Sequence, residues 1–287
     1  MNRIIITPEN RDFVVVDLDT GKTIHEHKAT RDLDCPDLNG QGRQTYRPFG
    51  IAEDTDHFYI ASNNRLGQFN KTTYQFERLV DVPLYINTHQ ILKDGNTLYT
   101  CNTAIDAIGV YNIEHKQLNI NYMNVVKQTL IPKNADQLDS RHVNSLFDAG
   151  DNVFFIRHNR GIVASDIGFF DKRTLTPQIL TNVGKCCHGI RIVENVLYTL
   201  STATGELVSI DLNTLIATKY KIVDPNVTFL RGLDHRDGKL VIGCSVNFKT
   251  NTRDKSCHIL VVDLQNISYK TYELDGIKVI NDLKILT

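Results

Sequence analysis

The chain has 287 residues, of which 41% are hydrophobic and 23% are charged. This composition is typical of a folded protein and excludes an intrinsically disordered one. The net charge of −1 excludes a strong overall attraction to nucleic acid or to an anionic membrane surface. The absence of tryptophan argues against repeats that are built on tryptophan and against sugar sites that are built on indole rings.

The N-terminal sequence predicts neither export nor a membrane span. Its apolar run, Ile4 to Ile6, is followed closely by Pro8 and is far shorter than the roughly 7–15 residues of a signal peptide. No apolar stretch in the chain approaches the roughly 20 residues that cross a bilayer. The six cysteines form no C-x-x-C pair, which favours reduced thiols. We therefore expect a cytoplasmic protein that is not attached to a membrane.

A three-residue mark recurs six times and predicts the first strand of a hairpin. Each opening mark ends in Ile or Leu, and a polar turn and a second strand rich in β-branched and aromatic residues follow most of them. The opening marks are Phe49-Gly50-Ile51, His89-Gln90-Ile91, Asn144-Ser145-Leu146, His188-Gly189-Ile190, Arg231-Gly232-Leu233 and Asn281-Asp282-Leu283.

A second mark, a strand that ends in Asp or Asn before a turn, also recurs six times. Asp and Asn side chains cap such turns by bonding to the backbone. The turn marks end at Asp17, Asn70, Asn112, Asp171, Asp211 and Asp263. Five opening marks precede a turn mark by 19 to 30 residues, and joining the two termini would place the last opening mark 21 residues before the first turn mark. The repeat is therefore circular.

The circular repeat predicts an all-β, six-bladed β-propeller with four antiparallel strands per blade, formed by residues 1–287 as a single domain. The C-terminal strand would join three N-terminal strands and so close the ring. About 48 residues are available for each blade, within the range of blade repeats. A β-sandwich or a pair of small β domains is the alternative, but neither predicts a circular spacing.

The segment from Arg47 to Ala52, together with Tyr59 to Leu66, resembles the NHL repeat. The recurring opening mark resembles six-bladed propellers of the gluconolactonase and strictosidine-synthase-like group. This resemblance implies the propeller fold and an activity of hydrolase or lyase type. In the gluconolactonase-like propellers the corresponding positions hold a divalent metal through oxygen ligands. His188, Arg231 and Asn144 occupy those positions here, but only Asn144 keeps the residue type, so calcium bound in the manner of that group is not expected.

The first residues of the opening marks are predicted to converge at one mouth of the central channel. We interpret His89 and His188 as candidate acid–base groups and Arg231 as a clamp for an anionic group. Asn144 and Asn281 would orient the substrate. Alternatively, His89, Asn144 and His188 bind a divalent metal, zinc or another transition metal. A third interpretation is that these side chains bond only to one another and to channel water.

The longest connections are predicted to lie on the same face as this mouth, where binding residues are commonly found. They are Thr30 to Tyr46, Val125 to Arg141, Arg157 to Asp166 and Ser245 to Ser256. The cationic and imidazole side chains on this face predict a small anionic ligand, with substrate-binding roles for Arg47, His142, Arg157 and His158.

Two functions follow from these features. The first is an enzyme, of hydrolase or lyase type by resemblance, that acts on a small anionic metabolite. The alternative is a non-catalytic module that binds a protein or a glycan through the loop-rich face. Nucleic acid is not favoured as a partner, because basic and aromatic residues do not alternate along the chain.

Overall fold

The computed structural model of the protein describes residues 3–9, 11–27, 48–62, 65–82, 88–122, 141–226, 228–246, 256–277 and 279–286. The first twelve strands are β1 (Arg3–Pro8), β2 (Phe13–Asp17), β3 (Lys22–His27), β4 (Pro48–Glu53), β5 (His57–Ser62), β6 (Arg65–Asn70), β7 (Phe76–Val80), β8 (Thr88–Asp94), β9 (Thr97–Asn102), β10 (Ala107–Asn112), β11 (Gln117–Tyr122) and β12 (Val143–Ala149).

The remaining strands are β13 (Asn152–Arg157), β14 (Ser165–Asp171), β15 (Pro177–Val183), β16 (Cys187–Val193), β17 (Val196–Ser201), β18 (Glu206–Asp211), β19 (Ala217–Lys221), β20 (Thr228–Arg236), β21 (Lys239–Val246), β22 (Cys257–Asp263), β23 (Tyr269–Leu274) and β24 (Ile280–Leu286). Short 3-10 turns cover Thr103–Ile105 and Asn159–Gly161. Among the described residues, no helix combines the length and the apolar character that a membrane span requires.

The strands form six antiparallel sheets of four, as the circular repeat predicts. Blade 1 has the order β24-β1-β2-β3, and blades 2 to 6 each take four consecutive strands, starting at β4, β8, β12, β16 and β20. Arg3 of β1 pairs with Leu286 of β24. The first strands of neighbouring blades are in contact all the way round, from β24 through β4 to β20 and back to β24. The predicted six-bladed propeller and its closure by the C-terminal strand are therefore confirmed.

The hydrophobic core lies between the blades. Six apolar clusters fill the six spaces between adjacent blades. In β1, Ile4 and Ile6 pack towards blade 6 while Ile5 packs towards blade 2, and all three are fully buried. Because successive side chains of a strand point to opposite faces, a strand buried on both faces needs an unbroken apolar run. Each such side chain contributes roughly 1.5–3 kcal/mol by leaving water.

Every opening mark contains a β-bulge. The first strand of each blade has one residue more than its partner strand at this point. In blades 5 and 6 the bulge includes Gly189 and Gly232, whose φ angles are +70° and +75°. A Cβ atom on Gly189 would lie 2.6 Å from the Cβ of Leu233 in the next blade. A bulge redirects the adjacent side chain, so the opening mark turns its first residue towards the channel.

Hydroxyl groups bridge five of the six interfaces between neighbouring blades. Each one bonds to the backbone near the opening mark of the next blade, a contact that contributes about 0.5–1.5 kcal/mol. The contacts are Thr7 Oγ1 to Phe49 O (3.2 Å), Thr103 Oγ1 to Val143 O (2.7 Å), Cys187 N to Ser165 Oγ (2.9 Å), Thr202 Oγ1 to Leu230 O (2.8 Å) and Ser245 Oγ to Ile280 O (3.0 Å).

The turn marks are also confirmed as capped turns. All six end the third strand of a blade. In each, the side-chain oxygen accepts a bond from a backbone N–H two or three residues on, as Asp17 does from Asp19 and Thr20 at 3.0 Å. The same type of bond is accepted by the side chains of Asn70, Asn112, Asp171, Asp211 and Asp263.

Deletion of residues 280–287 should abolish cooperative folding, because it removes β24 from blade 1 and exposes the cores on both sides of that blade. Circular dichroism during heating measures this. As a control, a circular permutant that links the termini and opens the chain at the exposed turn after Gly150 should still unfold cooperatively, since Arg3 and Leu286 are paired. A deletion variant with the melting temperature of the full chain would contradict the closure.

Candidate functional site

The structure brings the first residues of all six opening marks around one cavity at the channel mouth. They are Phe49, His89, Asn144, His188, Arg231 and Asn281. The second residues of the marks also line it, including Gln90, Ser145 and Asp282. The cavity measures about 30 Å³, space for one or two water molecules at about 15–30 Å³ each. The convergence predicted from the repeat is therefore present in the structure.

The two asparagines hold adjacent blades together at this mouth. Asn144 Nδ2 donates to Cys187 O of the next blade at 3.0 Å, while its Oδ1 accepts from Ser145 Oγ at 3.0 Å. Asn281 Nδ2 donates to Pro48 O at 2.8 Å, and its Oδ1 accepts from Arg231 Nη1 at 3.2 Å. Both amides therefore fix the geometry of the mouth.

Six rings form a continuous arc around the mouth. The ring centroids are separated by 4.6 Å from Phe49 to His89, 5.0 Å from His89 to His142, 4.8 Å from His142 to His158, 5.0 Å from His158 to His188 and 5.7 Å from His188 to Phe229. Arg231 ends the arc, with its guanidinium carbon 5.1 Å from the centre of the Phe229 ring. Four imidazoles and one guanidinium therefore share a small region.

Asp106 positions the two histidines that come from the connecting segments. This carboxylate is 1% exposed and accepts bonds from Arg141 N at 2.9 Å and His142 N at 2.7 Å. It thereby holds His142 in the left-handed conformation, with φ at +54°. His142 O in turn accepts from His158 N at 3.2 Å. The backbone thus fixes the positions of both imidazoles in the arc.

Hydrogen bonding determines the tautomer of His188. Its Nδ1 lies 3.0 Å from Cys186 O and 3.0 Å from Thr202 Oγ1. The Thr202 hydroxyl donates its proton to Leu230 O, so both neighbours of Nδ1 are acceptors. Nδ1 must therefore carry the proton, and Nε2 carries a lone pair. His188 is 7% exposed, and its buried Nε2 has no hydrogen-bond partner among the described residues.

Three imidazoles of the arc, those of His89, His158 and His188, are held in the neutral form. Burial, with added repulsion from His142, Arg231 and Arg160, lowers the pKa of His158 to about 3. Burial is also the main cause that lowers the pKa of His89 and of His188 well below the usual value of 6.5, and the Arg231 charge lowers both further. At neutral pH these imidazoles act as uncharged donors and acceptors.

Arg157 is paired with an acidic neighbour. Its Nη2 lies 2.5 Å from Asp166 Oδ2, and Asn182 donates to the same carboxylate. This pair balances the charge of Arg157, so the positive potential that Arg157 adds to the mouth is smaller than the sequence suggests. Arg47, the other arginine predicted to bind substrate, lies outside the described residues, as do most of the residues in three of the four long connections.

The described residues do not fit a metal centre well. No group of three or more His, Cys, Asp or Glu side chains among them has the arrangement to hold a metal ion. Asn144 uses both ends of its amide in hydrogen bonds, which leaves His89 and His188 of the predicted ligand set. Metal binding by His89, Asn144 and His188 stays a prediction, to be tested by metal analysis of protein purified without an affinity tag.

Asp282, Gln90 and Phe229 were not predicted as site residues. Burial raises the pKa of Asp282 to about 6, and its Oδ2 lies 3.4 Å from Gln90 Nε2. Gln90 Oε1 accepts from Leu146 N at 2.6 Å. A signal existed for two of them, because Gln90 and Asp282 replace the glycine found at the middle of three other opening marks. Phe229 precedes Arg231 by two residues and carried no such signal.

Comparison with known proteins supports the fold but does not assign the chain to a family. No protein-family model and no curated protein match the chain. A chain of the crystal structure of a nidogen/laminin complex is 11% identical, with a TM-score of 0.71 over 100% of this chain and 99% of that chain. A protein of unknown function from Bacteroides caccae is 10% identical, with a TM-score of 0.67 over 99% of this chain and 98% of that chain. The resemblance to the NHL and gluconolactonase-like propellers therefore stays a prediction.

The imidazole arc should make the fold sensitive to acid. An unfolded histidine has a pKa near 6.5, whereas that of folded His158 is about 3, so the unfolded chain binds more protons between these values. The free energy of unfolding should therefore fall as the pH drops from about 6.5 towards 3, by up to roughly 4 kcal/mol for this group. Asp282 opposes this, because its raised pKa costs stability as the pH rises from about 4 to 6.

Urea unfolding of the wild type and of His158→Gln at about pH 7 and about pH 5 isolates the histidine contribution. The variant should lose less stability on acidification than the wild type. His115→Gln, in an exposed turn, serves as the matched control and should keep the wild-type dependence. An identical pH dependence in His158→Gln and the wild type would show that His158 does not contribute.

Proposed function

We propose that the protein is an enzyme that acts on a small anionic molecule at the channel mouth. The observation that carries this proposal is the fixed tautomer of His188, which leaves the Nε2 lone pair buried beside the cavity that Arg231 also lines. A proton acceptor and a cation at one small cavity are what proton abstraction from an anionic substrate requires.

His188 has the properties of a general base. It is neutral at pH 7 because burial lowers its pKa, and the Nδ1 bonds to Cys186 O and Thr202 Oγ1 prevent the ring from turning. A base works best when its pKa lies close to the working pH. An anion bound beside His188 would stabilise the imidazolium and raise the pKa of His188 towards neutrality. The base would therefore become effective when the substrate is bound.

Arg231 is suited to hold the anionic group. Its guanidinium is fixed by Asn281 Oδ1 at 3.2 Å and by the Phe229 ring, which reduces the entropy that it loses on binding a ligand. The planar fork of five donors matches a carboxylate or a phosphate. His89 and His158, which lie along the arc, would supply further neutral hydrogen-bonding groups. A hydrolase or lyase reaction is proposed from the resemblance to gluconolactonase-like propellers.

The test measures anion binding and turnover separately. Calorimetry with inorganic phosphate and a panel of small carboxylates should identify an anion that binds the wild type. Arg231→Met should weaken that binding roughly 10- to 100-fold, the value of a charged hydrogen bond. Turnover is measured with a panel of anionic lactones, esters and hydroxy acids that can lose water by elimination. His188→Gln should lower turnover roughly 10²–10⁴-fold, while binding of the anion changes little.

Two matched variants control for the loss of a side chain of the same type. Arg173→Met removes an arginine that is 83% exposed in an outer turn, and His115→Gln removes an exposed histidine. Both should behave as the wild type. Equal anion binding in Arg231→Met and Arg173→Met, or full turnover in His188→Gln, would refute the proposal.

A protein-binding module is the second candidate, favoured by an apolar tip beside the mouth. Ile162 and Val163 are 82% and 54% exposed and follow the 3-10 turn that begins next to His158. Exposed apolar residues of this kind mark many protein contacts. One structural neighbour was crystallised as a nidogen/laminin complex, so this fold can occur in a protein assembly.

The double variant Ile162→Ser/Val163→Ser should abolish binding of a protein partner if the tip is a contact site. Affinity capture followed by mass spectrometry compares it with the wild type and with Ile216→Ser, which removes an isoleucine that is 67% exposed in an outer turn. A partner lost from the double variant and retained by Ile216→Ser would favour the binding module. Identical captured proteins in all three samples would exclude a contact through this tip.

A further inference from the structure

The channel contains a second cavity, at the end opposite the imidazole arc. It measures about 350 Å³, within the roughly 300–1,000 Å³ that is usual for small-molecule sites. It lies against the later parts of the first strands, and Gln90 lines both cavities. None of the side chains assigned a role in the proposed reaction lines this second cavity.

Each blade places one charged side chain in this cavity, and the signs alternate around the ring. In the order of blades 1 to 6 they are Lys284, Glu53, Lys93, Asp148, Arg191 and Asp234. These side chains are between 10% and 29% exposed. Three positive and three negative charges therefore alternate in a ring around this cavity.

Ion pairs hold the members of this ring in place. Arg191 Nε lies 2.5 Å from Asp234 Oδ1, and Lys284 Nζ lies 3.5 Å from Glu53 Oε1. Asp148 Oδ2 forms an ion pair with Lys172 Nζ at 2.9 Å, and Lys172 is not a member of the ring. A carboxylate accepts about four hydrogen bonds and an ammonium donates three, so Asp148, which accepts from Gly150 N and Lys172 Nζ, and Lys284 can each engage a further group of opposite sign.

The alternation determines which ligand the cavity can take. A ligand with a single charge meets equal numbers of attractive and repulsive neighbours, so it gains little net Coulomb energy. A ligand that carries both charges can place each one against its opposite on adjacent blades. Apolar residues between the charges, including Ile91, Leu146 and Phe147, would contact a short hydrocarbon stem.

We propose that the second cavity binds a small zwitterion that carries one ammonium and one carboxylate group. The ammonium would face Asp148 or Glu53, and the carboxylate would face Lys284 or Arg191. This site is independent of the proposed reaction at the histidine mouth, because the two cavities share only Gln90.

Isothermal calorimetry with β-alanine, propanoate and propylammonium tests the requirement for two charges. Each probe contains three carbon atoms. β-Alanine carries both an ammonium and a carboxylate group, whereas propanoate carries only the carboxylate and propylammonium only the ammonium. β-Alanine should bind, and each singly charged probe should bind at least about tenfold more weakly. The proposal is overturned if β-alanine does not bind at millimolar concentrations, or if a singly charged probe binds equally well.

Lys284→Met and Asp148→Asn test the ring itself. Each should weaken β-alanine binding about tenfold and still fold, because Glu53 keeps Lys71 at 2.8 Å and Lys172 keeps Asp94 at 2.6 Å. Lys219→Met, on the exposed outer strand β19, should bind as the wild type. Unchanged binding in both ring variants would overturn the proposal. His188→Gln and Arg231→Met should leave β-alanine binding unchanged, which separates this test from that of the proposed reaction.

Discussion

Burial of every blade on both faces is the constraint on which the rest of this structure depends. A blade at the end of an open row would expose one apolar face, so the row must close, and here β24 closes it by pairing with β1. The same constraint explains the apolar run of Ile4, Ile5 and Ile6, whose side chains enter two different cores. It also makes each interface sensitive to its neighbours, because separating one pair of blades removes the support of the two cores beside it.

The site follows from the same packing. Six first strands must approach closely around one axis, and the distances at Gly189 and Gly232 leave no space for a side chain. A bulge at this level bends each strand and turns the preceding residue into the channel. The sheets can tolerate His89, Asn144 or Arg231 there because these side chains lie outside the apolar clusters. Polar side chains are therefore concentrated at the channel mouth, and the apolar cores between the blades remain uninterrupted.

Local, periodic features made the fold predictable from the sequence: the opening and turn marks each depend on a few adjacent residues, and their spacing reveals the ring. The convergence of His89, His188 and Arg231 follows from the ring geometry. Other features depend on contacts that no spacing encodes, such as the proton on His188 Nδ1, which is fixed by Thr202 from the turn after β17. The alternating charges also escape a periodic search, because they follow the apolar residue of the opening mark by two positions in blades 2 to 4 and by one in the others.

The imidazole arc also links the charge of a ligand to the uptake of protons. Burial and the nearby guanidinium of Arg231 keep His188 neutral, so the mouth carries less positive charge than its composition suggests. An anion placed between them would reverse the local field and favour imidazolium. Linkage is reciprocal, so protonation of His188 must strengthen anion binding by the same free energy by which the anion favours protonation. The low pKa of His188 therefore does not oppose the proposed role in acid–base chemistry, because Nε2 would accept a proton more readily once the negative charge of a ligand has entered.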